Sequence, residues 1–249
     1  MNKIYKKNEV TFAIILIVIY VVGTSLAESL TESMGIAKLV PALFHVAFSA
    51  VIIAWIFKNG HAEKYGLSLP KYKLSKTWFF IPLVLVACFG LAFGVKLQYE
   101  ITETVLFVVS MVCVGFLEEI IFRGFLFVGM ARKNVTSAII VSSITFGIGH
   151  IVNLFNGQDI FNTIMQIIFA VAVGFALVTI FYRGKSLLPC IAFHALNNSL
   201  SAFEKTNEEI AASLSMSAEQ FEMTVIGIFV LLLTTYAVVM TKKLNVSKE

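Results

Sequence analysis

Eight stretches of this sequence are apolar for long enough to cross a lipid bilayer, and nothing else in the chain restricts its fold as strongly. A helix rises 1.5 Å per residue, so roughly 20 residues span ~30 Å of hydrocarbon. The stretches fall at 10–28, 36–57, 77–95, 103–131, 135–155, 160–182, 187–204 and 220–241. Composition agrees, with 58% of the 249 residues hydrophobic and 14% charged. Soluble domains run at roughly 45–50% and 25%, so one water-facing core could not hide this much apolar surface. No Pro/Gly/Ser-rich linker and no repeat of fixed period divides the chain. The expectation is an all-α, polytopic integral membrane protein: one membrane domain over 1–249, eight transmembrane helices, in the cell (plasma) membrane.

The charges test that count. Of the 19 Lys and Arg residues, Arg123 falls inside a span and only Lys38, Lys96 and Lys205 fall in alternate loops or at their edges. The rest, Lys3, Lys6 and Lys7 through Arg132, Lys133, Arg183, Lys185 and Lys242, share the other side with Lys71, Lys73, Lys76 and Lys248. Most acids sort oppositely, among them Glu28, Glu32, Glu100, Glu103, Asp159 and Glu208. Cytoplasmic loops carry the Lys/Arg excess, so both termini are expected in the cytoplasm, and an odd number of spans would destroy the sorting. Ser25-Leu26-Ala27 loosely imitates a signal-peptidase site. The apolar run before it exceeds a usual signal core, and an uncleaved first helix is expected. The net charge of +4 needs only topology and anionic lipid to explain it. The scattered basic residues form no nucleic-acid recognition module. Cys88, Cys113 and Cys190 lie within spans without metal-ligand spacing and read as packing residues.

Against this apolar background, a few polar clusters stand at membrane depth, where an ionised side chain costs several kcal/mol. In Glu118-Glu119-Ile-Ile-Phe-Arg123, Glu119 and Arg123 are i,i+4 neighbours suited to an ion pair. Glu118 points about 100° away, so the two carboxylates need not share a partner, and Glu118 is left to act as a base. His150 follows Gly147 and Gly149, which would allow close backbone approach. His194 and Asn198 are again i,i+4 and could both donate to one point. Counted along helices from the flanking cations, Glu118 and His150 reach similar depth and Asn198 lies near them. Each feature has a plainer reading: a Glu–Arg pair that pins packing, a hydrogen-bonded histidine, interhelical glue. Only Glu118 has no role in those.

Glu-Glu-x-x-x-Arg at 118–123, Phe-x-x-x-His at 146–150 and His-x-x-x-Asn at 194–198, in that order on successive membrane helices, resemble the CAAX-prenyl-endopeptidase family, including its bacterial CPBP/Abi branch. The resemblance covers about 103–204, taken as the catalytic core. It implies that Glu118 and His150 hold and activate water, Glu118 as general base, and that His194 and Asn198 stabilise the oxyanion. Glu119 and Arg123 would support them. A zinc ion on Glu118, His150 and His194 is the rival within the family, since one carboxylate and two histidines can form a catalytic zinc set. The metal-free mechanism is preferred because no His-Glu-x-x-His occurs. Asp159 is the only aspartate, and Gly-x-Ser-x-Gly is absent, which removes two-aspartate and nucleophile-elbow proteases.

The expectation is therefore an intramembrane endopeptidase cutting membrane-associated peptide or protein substrates at or just within the cytoplasmic half of the bilayer. Peptide maturation and bacteriocin self-immunity are the roles the resemblance implies. Two other classes compete. One is a non-catalytic membrane regulator that binds a sensor kinase or cell-wall enzyme. The other is an ion-coupled transporter, which would also bury Glu, His and Arg. The Gly90-x-x-x-Gly94 pair leaves a homo-oligomeric helix contact open, although intrachain packing explains it as well.

Overall fold

Helices dominate the computed structural model, which describes residues 1–34, 36, 38–69 and 80–243. A short amphipathic turn, α1 (Asn2–Lys7), precedes two long antiparallel helices, α2 (Glu9–Met34) and α3 (Leu39–Lys58). Next comes α4 (Ile81–Ala87), followed by a 3₁₀ turn over Gly90–Phe93. The central rod, α5, is α-helical over Ile101–Glu118, π-helical over Glu119–Phe127 and α-helical again over Val128–Ala131. Then follow α6 (Val135–Ile148) with a 3₁₀ extension Gly149–Leu154, α7 (Ile160–Gly184), α8 (Leu188–Leu200), α9 (Asn207–Ser213) and α10 (Ala218–Lys243). Local sequence sets several starts. Asn134 accepts from the Ser137 amide at α6, Asp159 accepts from the Asn162 amide at α7, and Thr206 with Glu209 forms a capping box at α9, each satisfying otherwise orphaned N–H groups.

Among the described residues, six helical stretches are long and apolar enough to cross a membrane: Glu9–Thr31, Leu39–Lys58, Ile101–Ala131, Val135–Leu154, Ile160–Gly184 and Ala218–Lys242. Their outward side chains, such as Leu26, Val105 and Leu231, are exposed, as lipid-facing positions should be. The chain is a multi-pass membrane protein. Two expected spans are shorter. Segment 187–204 forms the 13-residue α8, ~20 Å long, and a 3₁₀ turn over Ser201–Phe203. Its polar residues, His194, Asn197 and Asn198, face protein rather than lipid, so it gains nothing from a full crossing. Segment 77–95 keeps only α4 and the turn after it; its first residues, like Lys71, Lys73, Lys76 and Lys248, lie outside the described residues. Gly90 and Gly94 do not share one helix face: Gly90 sits under the Glu204 carboxylate and Gly94 adopts φ 115°.

Charge separates the two ends of the bundle. At one end Glu9 pairs with Lys64 (2.8 Å) and Arg132 (3.2 Å), and Arg183 donates to the carbonyl of Thr241. At the other Lys38 meets Glu28 (3.5 Å) and Lys96 meets Glu209 (2.5 Å), beside an isolated antiparallel bridge between Val95 and Glu204. Close helix contacts set the interior. A Cβ on Gly115 would lie 2.7 Å from the backbone nitrogen of Ala195, so α5 and α8 touch backbone to backbone there. Gly147 packs in the same manner on Ile167 and Val171 of α7, whereas Gly149 has nothing near it. Only the first glycine before His150 is thus a packing requirement.

Candidate active site

Glu118 is the last residue of regular α-helix in α5, and Glu119 opens the nine-residue π-helical segment. π-Helical turns are rare and concentrate at functional sites. Both carboxylates are buried, as is Arg123. Arg123 Nη1 donates to Glu119 Oε1 at 3.0 Å, the ion pair expected from the spacing. The same Glu119 oxygen lies 2.8 Å from His194 Nδ1, and Glu118 Oε2 lies 3.2 Å from His194 Nε2. The two carboxylates therefore share a partner, which their angular separation left open. They still diverge around the helix, but an imidazole carries its nitrogens on separate edges and bridges both. The contact to Glu119 is a hydrogen bond, and the one to Glu118 is a close approach of ring nitrogen to carboxylate oxygen.

Phe146, inside the Phe-x-x-x-His spacing, organises the other components. The Arg123 guanidinium lies 4.1 Å from its ring centroid, within cation–π range. The rings of His150 and His194 meet it edge-on at 5.4 and 5.7 Å. His150 sits in the 3₁₀ extension of α6 with Nδ1 3.2 Å from the Phe146 carbonyl. Asn198 stands one turn beyond His194 on α8, and its side-chain oxygen accepts from Asn197 at 3.3 Å. Glu118, His150, His194 and Asn198 all line one cavity of about 380 Å³, of a size that admits a small ligand or a peptide segment. Glu119 and Arg123 stay behind that wall. Glu119 Oε2 and Arg123 Nε and Nη2 are buried without hydrogen-bond partners.

Two further cavity residues escaped the sequence reading. Tyr20 of α2 donates to Glu118 Oε1 at 2.7 Å. His45 of α3, buried, bonds Thr24 Oγ1 (3.0 Å) and Ser110 Oγ (2.8 Å). His45 was detectable, because an ionisable side chain within a span is a functional candidate on its own. Tyr20 carried no such signal.

Glu118 and His194 meet as a pair, but among the described residues no three His, Cys, Asp or Glu side chains are grouped so as to hold a metal ion.

Residues 100–200 match the family model described as type II CAAX prenyl endopeptidase Rce1-like. Over this stretch, about two fifths of its length, the chain is similar to that family. The matched residues run from the start of α5 to the end of α8 and contain all six candidate site residues, while Tyr20 and His45 lie outside them. No curated protein matches the chain.

Proposed function

We propose that this protein is an intramembrane endopeptidase of the cell membrane that hydrolyses peptide bonds in membrane-associated peptides or proteins, without a metal. The observation that carries this reading is the convergence of Glu118, His150, His194 and Asn198 on one cavity within the family-matched residues. Glu118, with His150, orients a water molecule and takes its proton as the water oxygen attacks the peptide carbonyl carbon. His194 Nε2 and the Asn198 amide donate to the oxygen that becomes negative; aimed donors of this kind are typically worth 10²–10³ in rate. The C–N bond then breaks and Glu118 returns the proton to the leaving amine. Glu119 fixes the His194 ring through Nδ1, and Arg123 balances the Glu119 charge.

The reading includes eight membrane passages with both termini in the cytoplasm. The collection of Lys and Arg at one end of the bundle supports that orientation. Two short helices, α4 and α8, would complete their passages within the protein. Peptide maturation and bacteriocin self-immunity are the roles that fit such an enzyme. The test compares new protein N-termini in membranes containing the unsubstituted protein or Glu118→Ala. Cleavage events present only with Glu118 support the assignment, and identical sets of N-termini would remove it.

A further inference from the structure

The cavity around Glu118 is sealed toward one end of the molecule and continuous with polar surface toward the other. On the sealed side, Ile120, Ile121, Phe122, Phe125 and Leu126 are each at most 3% exposed. The Phe125 ring packs edge-on against Phe12 at 5.3 Å and Tyr65 at 4.7 Å, which closes the bundle with aromatic side chains. On the open side Glu28 and Asn153 line the cavity, and the same two residues line a polar depression of about 1060 Å³. Asn156, also in that depression, borders a narrow cleft of about 80 Å³ that reaches Glu118 and His150. Polar side chains thus lead from the molecular surface to the candidate base.

The sealed side is the cationic end, with Lys6, Lys7, Arg132 and Lys133 around one groove. The open side is the acidic end. Because cytoplasmic segments carry the Lys/Arg excess, the opening lies on the opposite face of the membrane. We infer that the site is entered from the extracytoplasmic side through this vestibule, and that its substrates are membrane-anchored or exported polypeptides whose scissile bond lies on that side. The inference rests on the protease reading and moves the cleavage away from the cytoplasmic half of the bilayer expected from the sequence. Hydrolysis inside an apolar bundle requires a water supply, and the vestibule provides one. Its walls suit a solvated peptide flank better than a lipid tail. Asn153, Asn156 and Gln158 offer amide donors and acceptors to an extended backbone, while Glu28 and Glu103 outnumber Lys38 and favour basic or neutral flanks.

The experiment uses the full chain with Cys88→Ala and Cys113→Ala, leaving the buried Cys190. Asn156→Cys or Ser29→Cys marks the vestibule, and Lys133→Cys marks the cationic end. Intact cells are treated with a membrane-impermeant maleimide, and new N-termini of membrane proteins are then counted. Asn156→Cys and Ser29→Cys should react in intact cells, and their labelling should cut the yield of new N-termini at least tenfold. Lys133→Cys should react only after permeabilisation and leave cleavage unchanged. Vestibule cysteines that react only after permeabilisation, or full cleavage after they are labelled, would overturn the inference. An absence of cleavage in the unlabelled protein would instead overturn the protease reading, while the labelling pattern would still report which face the opening takes.

Discussion

At Glu118, two side chains from other helices determine how the carboxylate is held: Tyr20 on Oε1 and His194 on Oε2. A hydrogen bond to a charged group is worth ~1.5–3 kcal/mol, and the Tyr20 hydroxyl has no other apparent purpose at that depth. Tyr20→Phe keeps the ring and removes only the donor. It should lower kcat about tenfold or more with KM nearly constant, because Glu118 loses its orientation while the cavity keeps its shape. An unchanged kcat would show that Tyr20 merely packs. Arg123 has a different role. Its removal leaves Glu119 buried beside His194 with one counter-charge fewer, and breaking a buried pair in this way costs ~3–5 kcal/mol. Arg123→Ala should therefore lower the yield of folded protein as well as cleavage, whereas Glu118→Ala should lower cleavage alone. Equal melting temperatures for the two variants would contradict the division. The i,i+4 spacing revealed the Glu119–Arg123 pair. The second use of Glu119, on His194, was not legible, since it joins residues 75 positions apart.

Helices α5 and α8 bring those residues together, and Gly115 sets their separation. A methyl group there would press on the backbone of Ala195, at 2.7 Å from nitrogen and 2.9 Å from Cα, and backbone cannot rotate aside as a side chain can. Gly115→Ala should push α8 outward, lengthen both His194 contacts and destabilise the fold by the ~1–3 kcal/mol typical of overpacking. Gly227→Ala on α10 is the matched control. Nothing lies within 4 Å of its Cβ position, so replacing a helical glycine there should be neutral or slightly stabilising. If the two variants melt alike, the α5–α8 contact does not govern the site. The short length of α8 belongs to the same scale. Hydropathy counted 187–204 as a span, yet His194, Asn197 and Asn198 turn the helix toward the cavity, and enclosure by protein removes the need for a full crossing.

For the whole molecule, a glutamate base held by Tyr20 and His194 predicts purified protein with no stoichiometric zinc and with cleavage retained in strong chelator. One tightly held zinc per chain, lost together with activity in His150→Ala, would restore the metalloprotease reading. The membrane character, the helical class and the opposed charge of the two ends were determined by the sequence itself. Each depends on sums over a single window or loop: transfer free energy for a span, Lys/Arg content for an end. The motif spacings likewise singled out Glu118, Glu119, Arg123, His150, His194 and Asn198 as candidates, because i,i+3 and i,i+4 neighbours share a helix face wherever the helix packs. What only the tertiary structure decided was how those faces meet. It set one imidazole between two carboxylates, brought Tyr20 and His45 in from helices without a motif, and closed the cavity at the cationic end while leaving it open at the acidic one. Such features depend on distances between helices far apart in sequence, set by contacts such as Gly115 on Ala195 and Phe125 among Phe12, Trp55 and Tyr65, and no local pattern of residues encodes a distance of that kind.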